Sequence, residues 1–321
     1  MNSDKAIFVF PGQGVQYVGM GKDLFNEFPV VKHTFERVSD VVHKNIADVC
    51  FNGPQDVLNK PENTSLGIFA HSVSIANILE AHFDKPLYDI AYAVSGHSVG
   101  QYAALCCVGS LDFKDAVHLV AARSSYMVMS NNNNCGMACV IGLPKEEVEL
   151  SLLAASGIGF AAISNHNAKD QFVISGQNDA LDAVLARAKE KGAKMVKRLN
   201  VQVPAHCALM QNAKLLLKKR LESINVESPK TNWFSNQTAN VMNNPMDVKD
   251  ALADQMTHGV RWFEIMEKFP TYNITRAYEL GPGKILTGLI NRANVGCRAS
   301  NTDNLKNVLE MLKELSEEKT R

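Results

Sequence analysis

The chain has 321 residues, of which 46% are apolar, and its 33 basic side chains are balanced by 33 acidic ones. That length and apolar content support a large core in one domain, or in a large domain with a small companion, and zero net charge gives no basis for nucleic acid or an anionic membrane as the main partner. No apolar run reaches the length of a membrane span, the start MNSDKAIFVFPGQG is not a signal peptide, and seven cysteines without a CxxC pair fit a reducing compartment, so a soluble, cytoplasmic protein is expected.

Strand-like and helix-like segments alternate, which argues for an α/β protein. Ala6-Ile7-Phe8-Val9-Phe10 reads as a short buried strand that ends in Pro11-Gly12-Gln13-Gly14, a usual place for a ligand loop. No Gly-Lys-Ser/Thr follows and GxGxxG is absent, so the sequence argues against nucleotide binding in its usual modes. Residues 22–50 and 65–83 read as helices, the second with a broad apolar face, separated by a polar loop from Asn52 to Asn63.

Ile90-Ala91-Tyr92-Ala93-Val94 reads as a buried strand running into Gly96-His97-Ser98-Val99-Gly100, and Val99 to Gly109 as a helix packed on nearly every side. A strand that turns straight into a helix forces the turning residue into a strained backbone conformation and exposes its side chain, so GxSxG in this setting makes Ser98 a candidate nucleophile. The N–H of Val99 would then face a developing oxyanion. In the next helix, Phe113 to Met129, the series Ala116, Leu119, Arg123, Met127 places Arg123 on the apolar stripe. A guanidinium turned inward needs an anion, either an internal Asp or Glu or a substrate carboxylate.

Asn131-Asn132-Asn133-Asn134 reads as a turn or joint. The segments 137–141, 145–155, 160–164, 171–175, 180–191 and 194–199 then follow the order βαββαβ, which suggests a small ferredoxin-like unit inserted into the larger one. Beyond it, Val201-Gln202-Val203-Pro204-Ala205-His206 reads as a strand that ends at proline before a helix, which would put His206 on the same sheet rim as Ser98 and in reach as its base. His97 adjoins the serine but points away at a sharp turn, His33, His43, His82 and His118 lie in helical stretches, and no His/Cys spacing suits zinc. Ala277-Tyr278-Glu279-Leu280 before Gly281-Pro282-Gly283 reads as another core strand, and Leu305, Val308, Leu309, Leu312 and Leu315 mark a terminal amphipathic helix.

Five stretches, Phe10-Pro11-Gly12-Gln13-Gly14, Gly96-His97-Ser98-Val99-Gly100, Arg123, Val203-Pro204-Ala205-His206-Cys207-Ala208-Leu209-Met210 and Glu279-Leu280-Gly281-Pro282-Gly283-Lys284, occur in the order seen in malonyl-CoA:acyl carrier protein transacylases. The chain resembles that family from about residue 5 to 315. The resemblance implies an α/β-hydrolase-like subdomain (1–130 and 198–321) with an inserted ferredoxin-like subdomain (131–197). It implies that Ser98 accepts a malonyl group, His206 is the general acid and base, and the N–H groups of Gln13 and Val99 form the oxyanion hole. Arg123 would hold the malonyl carboxylate, and the backbone carbonyl of Gln255 would orient His206.

Malonyl-CoA and acyl carrier protein are the partners the resemblance implies, with no cofactor or metal, and a monomer is expected. Acyl carrier proteins are acidic, so Lys189, Lys191, Lys194 and Lys197, or Lys214, Lys218 and Lys219, are candidates for the docking surface, although each also reads as part of a solvated face. The chain departs from the family at Gln101, where glutamate is usual, and Ala205 lies at a position where small residues vary. The alternatives are an acyltransferase or acyl hydrolase serving a polyketide synthase, and a carrier-binding module without catalysis. A charged clamp at Arg123 would be wasted on uncharged acyl groups, and an intact Ser98/His206 pair argues against the module.

Overall fold

The computed structural model describes residues 5–131, 134–201 and 203–318. Its larger sheet has six strands in the order β10-β9-β1-β2-β7-β8. They are β1 (Lys5–Phe10), β2 (Ala93–Gly96), β7 (Asn232–Phe234), β8 (Val241–Met242), β9 (Ile274–Glu279) and β10 (Arg298–Asn301), all parallel to their neighbours except the β7–β8 pair. Side chains alternate across it, as strand geometry requires. Phe8, Phe10, Val94, Trp233 and Tyr278 join the core on one face, and Ile7, Val9, Ala93, Phe234 and Ala277 join the core on the other. Burial on both faces explains why β1 reads as an unbroken apolar run. The helix Pro61–Phe83 packs into the first of these cores and buries most of its residues.

The smaller sheet is antiparallel, with the order β4-β5-β3-β6 for β3 (Cys135–Ile141), β4 (Ala161–Ala168), β5 (Gln171–Gln177) and β6 (Met195–Arg198). The helices Lys145–Leu152 and Asn178–Glu190 complete the βαββαβ order and share one core with it, from Ala138, Val140, Phe172 and Ile174 to Val148, Leu181 and Val184. The chain is therefore α/β, an α/β-hydrolase-like sheet carrying a ferredoxin-like insertion. Backbone bonds help fasten the insertion: the His166 N–H donates to the Val260 carbonyl at 2.9 Å and the Val260 N–H to the Ser164 carbonyl at 2.9 Å.

Several elements differ from the sequence reading for identifiable reasons. The stretch 22–50 is three helices, Lys22–Glu27, Pro29–Val42 and Ile46–Asn52. Phe28 is extended ahead of Pro29, which starts the second helix, and His43 ends it in the left-handed region, φ 52°. The Asn45 side chain then caps the third by accepting the Asp48 N–H. The loop Asn52–Asn63 contains a helical turn, Gln55–Leu58, and the long helix begins at Pro61. The second core strand is Ala93–Gly96 because Pro86 sets up a helical turn at Leu87–Ile90. Around His206 the correction is larger. Its neighbours Val203 to Cys207 form a turn, with the 3₁₀ turn Ala208–Met210 behind it, rather than a strand leading into a helix. Gln202 and two residues of the asparagine joint, Asn132 and Asn133, lie outside the described residues.

Candidate active site

Because β1 and β2 are parallel with Phe10 opposite Gly96, their following loops leave the same sheet edge side by side. The carboxyl edge of such a sheet is where crevices form. Ser98 occupies the turn there with φ 53°, a left-handed conformation that a non-glycine residue adopts at a cost of about 1–3 kcal/mol. The two flanking glycines are needed for steric reasons. A Cβ at Gly96 would overlap the Gly100 backbone, and one at Gly100 would overlap the Phe10 carbonyl. The helix Gly100–Cys107 can therefore begin directly against the end of β1.

The Ser98 Oγ lies 2.8 Å from His206 Nε2, and His206 Nδ1 lies 2.7 Å from the Gln255 carbonyl oxygen. A carbonyl only accepts, so Nδ1 carries the proton and Nε2 presents its lone pair to the serine hydroxyl. His206 is buried, and burial together with the nearby Arg123 charge lowers its pKa to about 3. It stays neutral at physiological pH, which is the state a general base requires. His206 itself has φ 60°, so both members of the pair sit on left-handed turns.

Arg123, only 2% exposed, donates from Nη2 to Ser98 Oγ at 2.9 Å. Among the described residues no carboxylate pairs with it, and burial lowers its pKa from the ordinary guanidinium range. The internal Asp or Glu allowed by the sequence is therefore not there. A guanidinium has five N–H donors, and a hydroxyl takes one. The site thus holds a desolvated positive charge beside the serine, with donors left to offer.

Gln13 stands on the neighbouring loop, its side chain donating to Ser65 Oγ at 2.9 Å and to the Pro61 carbonyl at 3.3 Å. Ser124 Oγ donates to the same Ser65 oxygen at 2.8 Å, which ties the Gln13 loop to the helix bearing Arg123. Among the described residues neither the Gln13 nor the Val99 N–H donates to a protein acceptor. His97 is turned away from the pair: its Nε2 lies 2.9 Å from Asn167 Oδ1 on β4, and its ring meets Trp262 edge-on.

Two buried amides complete the turn. Asn236 Oδ1 accepts the Ser98 N–H at 2.8 Å, Asn236 Nδ2 donates to the Gly96 carbonyl at 2.7 Å, and the Asn236 N–H donates to Gln101 Oε1 at 3.1 Å. Asn236 escaped sequence reasoning. The available signal was a polar Ser235-Asn236-Gln237 run directly after the aromatic strand β7, at the same sheet edge as the other two loops.

Other singled-out residues do structural work. The buried Glu279 accepts the N–H groups of Leu286 and Thr287 and caps the helix Ile285–Ala293. Lys214, Lys218 and Lys191 pair with Asp254, Asp250 and Glu147, at 2.6, 3.5 and 3.1 Å. Lys189, Lys194, Lys197 and Lys219 are exposed. Among the described residues no group of three or more His, Cys, Asp or Glu could hold a metal, and no helix is long and apolar enough to cross a membrane.

Residues 7–272 match the model of the acyl transferase domain family. The chain is 36% identical over 289 residues to a malonyl CoA-acyl carrier protein transacylase of Haemophilus influenzae, covering 90% of this chain and 92% of that one. It is 31% identical to the enzyme of the same name from Bacillus subtilis, with 90% of each chain covered. Among solved structures, a malonyl CoA-acyl carrier protein transacylase from Coxiella burnetii superposes with a TM-score of 0.93 at 33% identity, covering 98% of both chains. A malonyl-transacylase solved in complex with a type II polyketide acyl-carrier protein also gives 0.93, at 32% identity, covering 97% of this chain and all of that one.

Proposed function

This chain belongs to the acyl transferase domain family, and from that membership and the geometry of its site we propose that it transfers malonyl from malonyl-CoA to the phosphopantetheine thiol of acyl carrier protein through a malonyl-Ser98 ester. The enzyme is an acyl-carrier-protein S-malonyltransferase, and it serves fatty acid synthesis. The observation that carries the choice of acyl group is Arg123, a buried cation 2.9 Å from the nucleophile with no carboxylate of its own among the described residues. A dicarboxylic acyl group fills that vacancy with its free carboxylate, and a bidentate pairing would fix the thioester carbonyl relative to Ser98.

The chemistry follows from the proton positions. Ser98 gives its proton to His206 Nε2 as Oγ attacks the thioester carbonyl, and the imidazolium so formed keeps its Nδ1–H bond to the Gln255 carbonyl. The N–H groups of Val99 and Gln13 receive the oxyanion, in the role of preorganised donors. Collapse expels the coenzyme A sulfur, which takes the proton from His206 and leaves malonyl on the serine. In the second half the carrier thiol gives its proton to His206 and attacks the ester, and Ser98 regains the proton as it leaves. Each step moves only protons and an acyl group, so no redox group or metal is drawn on.

The test is to incubate the protein with malonyl-CoA and locate the product by intact-mass and peptide-mapping spectrometry. A malonyl adduct on Ser98, absent from Ser98→Ala, supports the reading. Absence of an adduct on the unmodified protein overturns it.

A further inference from the structure

We infer that Asn236 is a positioning residue for the nucleophile: its carboxamide staples the two sides of the Ser98 turn together. Its oxygen accepts the Ser98 N–H at 2.8 Å while its nitrogen donates to the Gly96 carbonyl at 2.7 Å, so a single side chain bridges the entry and the apex of the turn. The side chain is fully buried, and exchanging its oxygen and nitrogen would break both bonds, so its orientation is set by the network. Gln101, also buried, holds the staple by accepting the Asn236 N–H, which references it to the helix Gly100–Cys107.

Two consequences follow. A left-handed serine persists only where its surroundings hold it, and this contact holds it with Oγ between His206 and Arg123. The contact also occupies the Ser98 N–H, which leaves the Val99 N–H as the donor this turn can present to an oxyanion. A looser turn would move the nucleophile and that donor together.

The inference deepens the malonyl-serine reading and rests on it, so the test carries one arm that does not depend on malonyl. Asn236→Ala, Asn236→Asp and Gln101→Met are compared with the unmodified protein in rapid-quench acylation by malonyl-CoA. In parallel, Ser98 is labelled with a fluorophosphonate, and folding is followed by circular dichroism. In Asn236→Ala the acylation rate constant is expected to fall by about 100-fold, the scale of a misplacement near 1 Å, with half-saturation by malonyl-CoA unchanged. Fluorophosphonate labelling slows alongside it.

Asn236→Asp keeps the acceptor for Ser98 but sets an oxygen against the Gly96 carbonyl, so its rate constant falls as well. Gln101→Met gives a smaller loss that is not additive with Asn236→Ala. Misfolding lowers the burst amplitude, whereas a misplaced nucleophile lowers the rate constant. If Asn236→Ala does not fold, the other two variants decide. Fluorophosphonate rate constants within about threefold of the unmodified protein, or losses confined to amplitude, overturn the inference. If the unmodified protein takes up no malonyl, the functional reading fails and the fluorophosphonate arm still decides the role of Asn236.

Discussion

Replacing Arg123 with methionine separates function from stability in opposite directions. The guanidinium is 2% exposed, and among the described residues its polar partner is the Ser98 hydroxyl, with no carboxylate paired to it. Truncating one partner of a buried, hydrogen-bonded charge pair costs about 2–5 kcal/mol. At about 1.4 kcal/mol per tenfold, malonyl transfer should fall by roughly 30-fold to a few thousand-fold. Acetyl-CoA offers no carboxylate, so its rate should fall far less, by no more than the lost bond to Ser98 Oγ accounts for, and the malonyl-to-acetyl preference should collapse. The folded protein without substrate, however, loses an unpaired buried charge whose desolvation costs several kcal/mol. Methionine fills similar space with a flexible apolar chain. The melting temperature should therefore rise, by about 2–4 °C or more.

The assay is the acylation rate constant with each donor from rapid-quench mass spectrometry, together with a calorimetric melt. A malonyl-to-acetyl ratio left unchanged would refute the carboxylate clamp. A lower melting temperature would refute the claim that the charge is uncompensated.

Two further outcomes concern pH. Burial and Arg123 lower the His206 pKa to about 3, so acylation should run on a plateau from pH 7.5 down to about 5, measured as initial rates with activity recovered on return to pH 7. A protonation limb near 6.5 would show that His206 titrates like a solvated histidine. His71 is buried, and burial lowers its pKa from 6.5 to about 4. The unfolded chain therefore binds the extra proton between those values. The stability this histidine permits is complete above pH 6.5 and is lost as the pH falls towards 4, at up to about 1.4 kcal/mol per pH unit. His71→Phe should accordingly gain stability relative to the unmodified protein as urea melts are moved from pH 7 to pH 5. A pH-independent difference would contradict the assignment.

Which parts of the site were legible in the sequence depended on how local the determinants are. Ser98 and its glycines could be read because a strand, a turn and a helix within a few residues define them. Arg123 could be read as inward-facing from helical spacing alone, but the missing counter-charge is a tertiary fact. His206 was reached for a partly mistaken reason. The strand before it is a turn, and what brings it to Ser98 is its own left-handed backbone and the Gln255 carbonyl. A backbone carbonyl leaves no side-chain signal, so Gln255 came only from family resemblance. Asn236 was invisible because its partners lie some 140 positions away. In the fold, burial patterns located the core strands well, whereas Pro29, His43 and Pro86 broke or shifted elements that apolar periodicity alone had run together.

If Ser98 carries malonyl between two thiols, the ester it forms must be competent to transfer. The most direct measurement is to isolate the malonyl-protein free of malonyl-CoA and mix it with holo acyl carrier protein in a single turnover. Malonyl should appear on the carrier's phosphopantetheine as it disappears from Ser98, far faster than hydrolysis in the absence of carrier. Release of free malonate at the same rate with or without carrier would contradict transfer through Ser98.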